Sequence, residues 1–170
     1  MTQIMQCSFT NITPEIPPLP SLQLYMIWGE DKIRQLVRYH HNLLLLGEIS
    51  DFLPHNSMQF EHATRKTADF FVNVFSHVKS TNTPLGYPAM KMRYFNITVD
   101  EHARYVWLET YKTAIMDMKM PSECIEEFWS WIEPLSLWMI NRHTMSVTPR
   151  YHYKDIWEDF IDFKMVRKCS

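Results

Sequence analysis

Apolar residues recur three and four positions apart along most of the 170-residue chain, which is the spacing of one face of an α-helix. The alternation of apolar and polar residues that marks a half-buried strand is absent, as are internal repeats. The predicted helices cover about residues 22–27, 29–46 and 57–78, a short stretch from 88, stretches beginning near 98 and 121, and residues 153–166. The pattern therefore predicts an all-α fold.

Residues that prefer helix ends set several of these boundaries. Gly47 is predicted to end the second helix, because glycine readily adopts the left-handed backbone found just past a helix. Thr98 and Glu101 have the spacing of a capping box and predict a helix start near Thr98. Pro134 lies inside the helix that follows Pro121, and we expect a kink there.

Four of the predicted helices carry a continuous apolar face, and these faces predict the core. In the second helix the inward residues are Ile33, Leu36, Val37, His40 or His41, and Leu44. In the third they are Phe60, Ala63, Thr67, Phe70, Phe71, Val74 and Phe75. In the helix from Thr98 they are Ala103, Val106, Trp107, Thr110, Tyr111, Ala114 and Met118. In the helix after Pro121 they are Ile125, Phe128, Trp129, Ile132, Leu135, Trp138 and Met139.

The two ends of the chain differ from this helical middle. Residues 1–20 carry four prolines within seven positions and predict an extended arm, because proline interrupts helices and central strands. Residues 144–170 contain a break at Thr148-Pro149 and then an amphipathic helix, which either packs on the domain or serves a partner or a dimer. We therefore predict an arm at 1–20, one domain at 21–143 and an extension at 144–170.

Composition excludes several classes of protein. Lys and Arg number 17 against 19 Asp and Glu, in mixed order, which argues against a nucleic-acid or anionic-membrane partner. Cys7, Cys124 and Cys169 are widely spaced and odd in number, so they predict neither a disulfide framework nor a zinc site. No signal peptide or membrane-spanning run is evident, and a reducing cytoplasm is the expected compartment.

Catalytic and metal-binding patterns are weak. Cys124 has no paired base nearby in sequence, so no Cys/His site follows. His40 and His41 are adjacent on a predicted helix, and their side chains point about 100° apart, which makes chelation of a single ion difficult.

Two segments share a pattern with a known family. Gly86-Tyr87-Pro88 precedes Lys91-Met92-Arg93-Tyr94, and Trp107-Leu108 begins thirteen positions after Tyr94. Upstream, residues 28–41 read WGEDKIRQLVRYHH. In motif order and spacing the chain resembles the truncated haemoglobins, group II in particular, over roughly residues 22–143. That family has G-H-P before R-x-R-H and a tryptophan thirteen positions after its histidine.

The resemblance implies a truncated-globin-like helical sandwich, of bacterial type, that binds haem. Matched position by position, Tyr94 stands where the family has its proximal histidine, and His41 stands where it has a distal tyrosine. The other residues that the resemblance brings to the pocket are Lys91 and Arg93 near the haem propionates, His40, Leu53, Ala63, Thr67, Phe70 and Trp107.

Tyr94 leaves three interpretations open. As a phenolate it would ligate ferric haem, as tyrosine does in catalase. Alternatively His41 binds the iron and Tyr94 donates a hydrogen bond in the pocket. In the third interpretation Tyr94 fills space that haem once occupied. The implied functions are accordingly gas-ligand (O2 or NO) or peroxide chemistry at haem, or a haem-free globin fold that binds a protein or senses a small ligand.

Overall fold

A computed structural model describes residues 15–78 and 97–158 of the chain. Its helices are α1 (Gln23–Trp28), α2 (Glu30–Leu45), α3 (Ser57–Ser76), α4 (Glu101–Asp117) and α5 (Ser122–Met139), with a 3-10 turn at Ser50–Phe52. Residues 153–158 are also helical, and no strand occurs within the two described ranges. The all-α prediction is confirmed.

A glycine lies at each end of α2, but only Gly29 has a positive φ, so the left-handed backbone expected at Gly47 is not observed. Gly29 joins α1 to α2 with a φ of +85°, a backbone conformation that side-chain-bearing residues rarely adopt. Its N–H donates to the Tyr25 carbonyl (3.0 Å), and its carbonyl accepts from the Ile33 N–H (3.2 Å). At the other end, Gly47 N–H donates to the Leu44 carbonyl (3.1 Å) and closes the last turn, two residues beyond the end of the helix at Leu45.

The predicted capping box at Thr98 and Glu101 is wrong. Helix α4 begins at Glu101, and the carboxylate of Asp100 caps it by accepting from the Ala103 N–H at 2.8 Å. Glu101 turns away and accepts from the N–H (2.8 Å) and hydroxyl (2.6 Å) of Thr144 and from His143 Nδ1 (3.1 Å). Although burial raises its pKa, these bonds outweigh that effect and hold the pKa of Glu101 at about 2.

The predicted core is confirmed for the most part. Every predicted inward residue of α2 and α5 is buried, and in α2 both His40 and His41 are buried rather than one of them. In α3 the structure differs at one position, where Ala63 is half-buried and its neighbour Thr64 is buried instead. Val106, Thr110 and Met118 of the predicted α4 face are half-buried.

Both described chain extensions lie against the helical body. In the arm, Pro17 and Pro20 are buried, and the Pro20 carbonyl lies 2.6 Å from His77 Nε2 at the end of α3. In the C-terminal extension, Trp157 is fully buried and packs edge-on against Trp129 of α5, with ring centroids 5.5 Å apart. The described part of the extension therefore packs on the domain through Trp157.

A buried ion network fastens the extension to α4 and α5. Glu133 of α5 accepts from Arg104 Nη2 of α4 at 2.5 Å and from Arg150 Nε and Nη2 of the extension at 2.9 and 2.8 Å. Arg104 also donates to Ser136 Oγ (2.8 Å) and to the Pro149 carbonyl (2.5 Å). Arg104 and Glu133 are 1% and 2% exposed, so this network lies in the interior.

The two buried charges respond differently to this environment. Burial lowers the pKa of the Arg104 guanidinium despite the adjacent carboxylate. Burial also raises the pKa of Glu133, but hydrogen bonds from Arg150 and the Tyr151 N–H, with the charge of Arg104, leave the net pKa below its ordinary value. Both groups therefore stay charged at neutral pH, and each stabilises the buried charge of the other.

Within residues 15–78 and 97–158, none of the helices has the length and apolar character needed to cross a membrane.

Candidate functional site

The site residues inferred from sequence divide into two groups. Tyr94, Arg93 and Lys91 lie outside the described residues, so their place in the site stays a prediction. The others lie on α2, on the turn after it, on α3 and on α4, and all of them except the half-buried Ala63 are buried.

His41 faces α3 from the inner side of α2. Its side chain is 1% exposed, and its Nδ1 lies 2.9 Å from the hydroxyl of Thr64. Phe60 packs edge-on against the imidazole, with ring centroids 6.2 Å apart. Thr67, one turn beyond Thr64 on α3, is also buried. A histidine and two threonines thus give an otherwise apolar wall its hydrogen-bonding groups.

Thr64 is a site residue that sequence reasoning missed. The resemblance assigned Ala63 and Thr67 to the pocket, but Phe60, Thr64, Thr67 and Phe71 form the buried stripe, and Ala63 lies at its margin. Spacing of four, three and four from Phe60 was a usable signal, because residues so spaced share a helix face.

His40 faces α4 instead of α3. Its Nε2 lies 3.1 Å from the Trp107 carbonyl, and since a carbonyl only accepts, Nε2 carries the proton. The ring stacks on Tyr111 with centroids 3.4 Å apart and planes 11° apart. His40 Nδ1 has no hydrogen-bond partner among the described residues, which is unusual for a buried nitrogen.

Trp107 lies where α4 meets α2. The indole is 4% exposed and packs edge-on against Tyr111 at 4.8 Å and against His40 at 5.4 Å. Beyond Tyr111 an aromatic cluster continues into the core through Phe71 and Phe128, and its remaining members are Phe70, Phe75 and Trp131.

The turn after α2 supplies an aromatic that the sequence comparison placed one residue away. Leu53, which the resemblance places near a position where the family has an aromatic, is buried at 6% exposure. Phe52 beside it lines a small cavity together with Trp107 and Met139. An aromatic ring therefore reaches the Trp107 side of the core although an aliphatic residue occupies the matched position.

A larger groove of about 770 Å³ runs between α2 and α3 and carries several basic side chains. Arg34 pairs with Glu30 (2.8 Å) and Asp69 (2.7 Å), and Arg38 makes a two-pronged pair with Glu61 (2.7 Å). These carboxylates neutralise Arg34 and Arg38, while Arg65 also lines the groove.

Metal-binding clusters of three or more His, Cys, Asp or Glu are absent from the part of the chain that the structure describes. The rings of His40 and His41 are 6.0 Å apart and tilted by 48°, and each bonds a different helix. The structure therefore gives no support to chelation of one ion by this pair.

Acid is expected to destabilise the protein through His40. Burial lowers the pKa of His40 well below its ordinary value, and the nearby His41 lowers it further, while Trp107 and Tyr111 carry no charge. The unfolded chain takes up a proton below about pH 6.5 that the folded chain refuses, so stability is full above this pH and falls below it.

We expect His40→Gln to reduce the pH dependence of the unfolding free energy by about 1.4 kcal/mol per pH unit between pH 6 and 5. Urea unfolding of both proteins at several pH values measures this slope. Equal slopes for the two proteins would show that His40 titrates normally.

The comparisons with known proteins agree with this architecture. The family described as bacterial-like globin matches residues 24–141. The structure is similar to one titled as the crystal structure of phosphate-bound Hell's gate globin IV, with a TM-score of 0.76 and 36% sequence identity. The alignment covers 88% of this chain and 92% of that one. A search of curated proteins found no match.

The matched region includes α1 to α5 together with the buried His41, Thr64 and Trp107, so family, fold and candidate pocket coincide. The chain belongs to the bacterial-like globins, the truncated globin family.

Proposed function

We propose that this globin binds haem, with α2, α3 and α4 forming the distal wall of the pocket. The observation that carries the proposal is His41, buried at 1% exposure and hydrogen-bonded to Thr64 in a mainly apolar wall. Burying an imidazole and a hydroxyl costs free energy unless they are hydrogen-bonded. The family to which the chain belongs provides the cofactor class, and haem would supply an iron centre for a diatomic or peroxide ligand.

The residues present fit such a group. The wall is apolar where Phe60 and Trp107 contribute, and it keeps hydrogen-bonding groups at His41 and Thr64. Nδ1 of His40 is a further buried polar atom, and it has no hydrogen-bond partner among the described residues. Few buried polar side-chain atoms in folded proteins lack a partner, so this nitrogen is a candidate to face a ligand.

We propose Tyr94 as the axial ligand, because the resemblance to group II places it where that family has its proximal histidine. A phenolate is anionic and favours ferric iron, which disfavours reversible oxygen binding. The ordinary pKa of tyrosine is about 10, so the metal or Arg93 would have to lower it. In the alternative arrangement His41 would hold the iron and Tyr94 would donate a hydrogen bond in the pocket.

The ligand class follows from the distal groups. His41 and Thr64 can hold a small ligand by hydrogen bonds, which suits O2, NO or peroxide. The similar Hell's gate globin IV is titled phosphate-bound. We extend from it only a ligand class to test, a small oxyanion that would accept a hydrogen bond from the His41–Thr64 pair.

A haem-free role is the second candidate, and the aromatic cluster favours it. Phe71 packs on Tyr111 (6.0 Å), Phe128 (6.2 Å) and Trp131 (5.1 Å), so this part of the core is filled by side chains alone. Such a protein would act in the cytoplasm as an interaction or small-ligand-sensing module. Its partner, or a second copy of the chain, would bind through the C-terminal helix.

Tyr94→Phe tests the axial ligand. We expect the charge-transfer band of the haemin complex to disappear, the Soret band to move, and haemin affinity to fall on the order of tenfold, since phenylalanine cannot ligate iron. Absorption titration with haemin measures all three. Tyr105→Phe, which removes an exposed phenol from α4, should behave as wild type. If Tyr94→Phe leaves both bands in place, Tyr94 is not the ligand, and His41→Leu becomes the next variant.

A further inference from the structure

The adjacent residues His40 and His41 of α2 contact different helices. Successive helix residues point about 100° apart, so His41 meets Thr64 of α3 while His40 meets Trp107 and Tyr111 of α4. His40 therefore connects the helix that carries the distal histidine to the helix that carries the pocket tryptophan.

The contacts of His40 span one full turn of α4. Its Nε2–H donates to the Trp107 carbonyl at 3.1 Å, and its ring lies flat on Tyr111, four residues further along. A carbonyl has two lone pairs, so that of Trp107 can accept this bond in addition to its helical one. The bond fixes how far α4 is displaced along α2, and the stack fixes how far α4 is rotated.

Both constraints act on the Trp107 indole. The indole packs edge-on against the His40 ring (5.4 Å, 89°) and against the Tyr111 ring (4.8 Å, 79°). A ring held between two perpendicular rings in a close-packed interior has little room to change rotamer. The imidazole supplies a flat face and an N–H at the same time, which a leucine or phenylalanine at this position would not.

We propose that His40 is a positioning residue that sets the orientation of Trp107 toward the ligand site beside His41. This inference rests on the proposed function for its consequence, but the positioning itself is a property of the chain without cofactor. In this proposal His40 acts on the site indirectly, through its contacts with Trp107 and Tyr111.

Two substitutions separate the hydrogen bond from the ring. His40→Gln places an amide N–H near the position of Nε2 and keeps a donor for the Trp107 carbonyl. His40→Phe keeps the stack on Tyr111 and loses the donor. His62→Gln and His62→Phe, at an exposed position of α3, are the matched controls.

The readout is the indole N–H signal of Trp107 in a proton–nitrogen NMR spectrum of the cofactor-free protein, assigned by its absence in Trp107→Phe. We expect His40→Phe to shift this signal and speed its hydrogen exchange several-fold, with helix content retained. His40→Gln keeps the donor but loses the ring, so it should shift the signal less than His40→Phe, and both controls should match wild type. After haemin is added, the Soret maximum should be displaced more in His40→Phe than in His40→Gln.

An unchanged indole signal in His40→Phe, or equal displacement in both His40 variants, would overturn the positioning role. If wild type binds no haemin, the proposed function fails, while the indole signal of the cofactor-free chain still decides the role of His40. If haemin binds and the Soret maxima of both variants match wild type, the link from His40 to the pocket is refuted.

Discussion

Glu133→Ala is expected to lower the free energy of unfolding by about 3–5 kcal/mol, because it leaves a guanidinium buried without its counter-charge. Arg104 is 1% exposed and would lose its carboxylate partner, keeping neutral acceptors at Ser136 Oγ and at the carbonyls of Pro149 and residue 133. Arg150 is 44% exposed at its side chain and can return to water, so its loss should matter less. Urea or guanidinium unfolding followed by circular dichroism measures the change.

Two further variants make the Glu133 result specific. Glu126→Ala removes an exposed carboxylate from the same helix and should cost less than about 1 kcal/mol. The double variant Arg104→Met, Glu133→Leu removes both buried charges and should be more stable than Glu133→Ala alone, because apolar replacement of a whole buried pair is often neutral. A cost under about 1 kcal/mol for Glu133→Ala would contradict a tightly coupled interior network.

Phe71→Ala alone is expected to lower the free energy of unfolding by about 3–5 kcal/mol, the usual range for phenylalanine removed from a packed core. Phe71 is fully buried on α3 and contacts rings of α4 and α5, so the cavity left by its ring borders three helices. Phe71→Leu should cost clearly less, since leucine refills most of the space. Thermal and urea unfolding of the two variants give the comparison.

The control for Phe71 is Met58→Ala on the same helix, where the side chain is 80% exposed and its loss should change stability by less than about 0.5 kcal/mol. If Phe71→Ala proved equally mild, the aromatic cluster would not be packed as described. In that case the haem-free interpretation would lose the observation that favours it.

Local signals predicted the helices well. The inward face of α2 and the breaks at Gly29 and Gly47 depend on residues close in sequence, and the structure agrees with them to within about two residues. The prediction for the N-terminus of α4 was wrong because the outcome depends on a residue distant in sequence. Glu101 has the spacing of a capping box, but Thr144, 43 residues away, takes its carboxylate, and Asp100 caps the helix instead.

The site residues divide in the same way, into those with a local sequence signal and those set by distant contacts. The resemblance predicted His41 and Trp107 as site residues because they belong to motifs, and both are buried. The spacing from Phe60 could have placed Thr64 on the buried face, but its hydrogen bond to His41, 23 residues away, leaves no signal in the sequence. The Arg104–Glu133 pair was likewise invisible, since charges 29 residues apart show no pairing in a sequence. Tyr94 lies outside the described residues and stays a prediction.

Haemin binding is the property on which this account depends, and an absorption titration of the purified protein to saturation measures it directly. We predict a stoichiometric, saturable Soret band with a charge-transfer feature, as expected for ferric haem with a tyrosine ligand. Absence of saturable binding would contradict the account. The chain would then be a globin fold that functions without its cofactor, and its C-terminal helix would become the surface to test for partners.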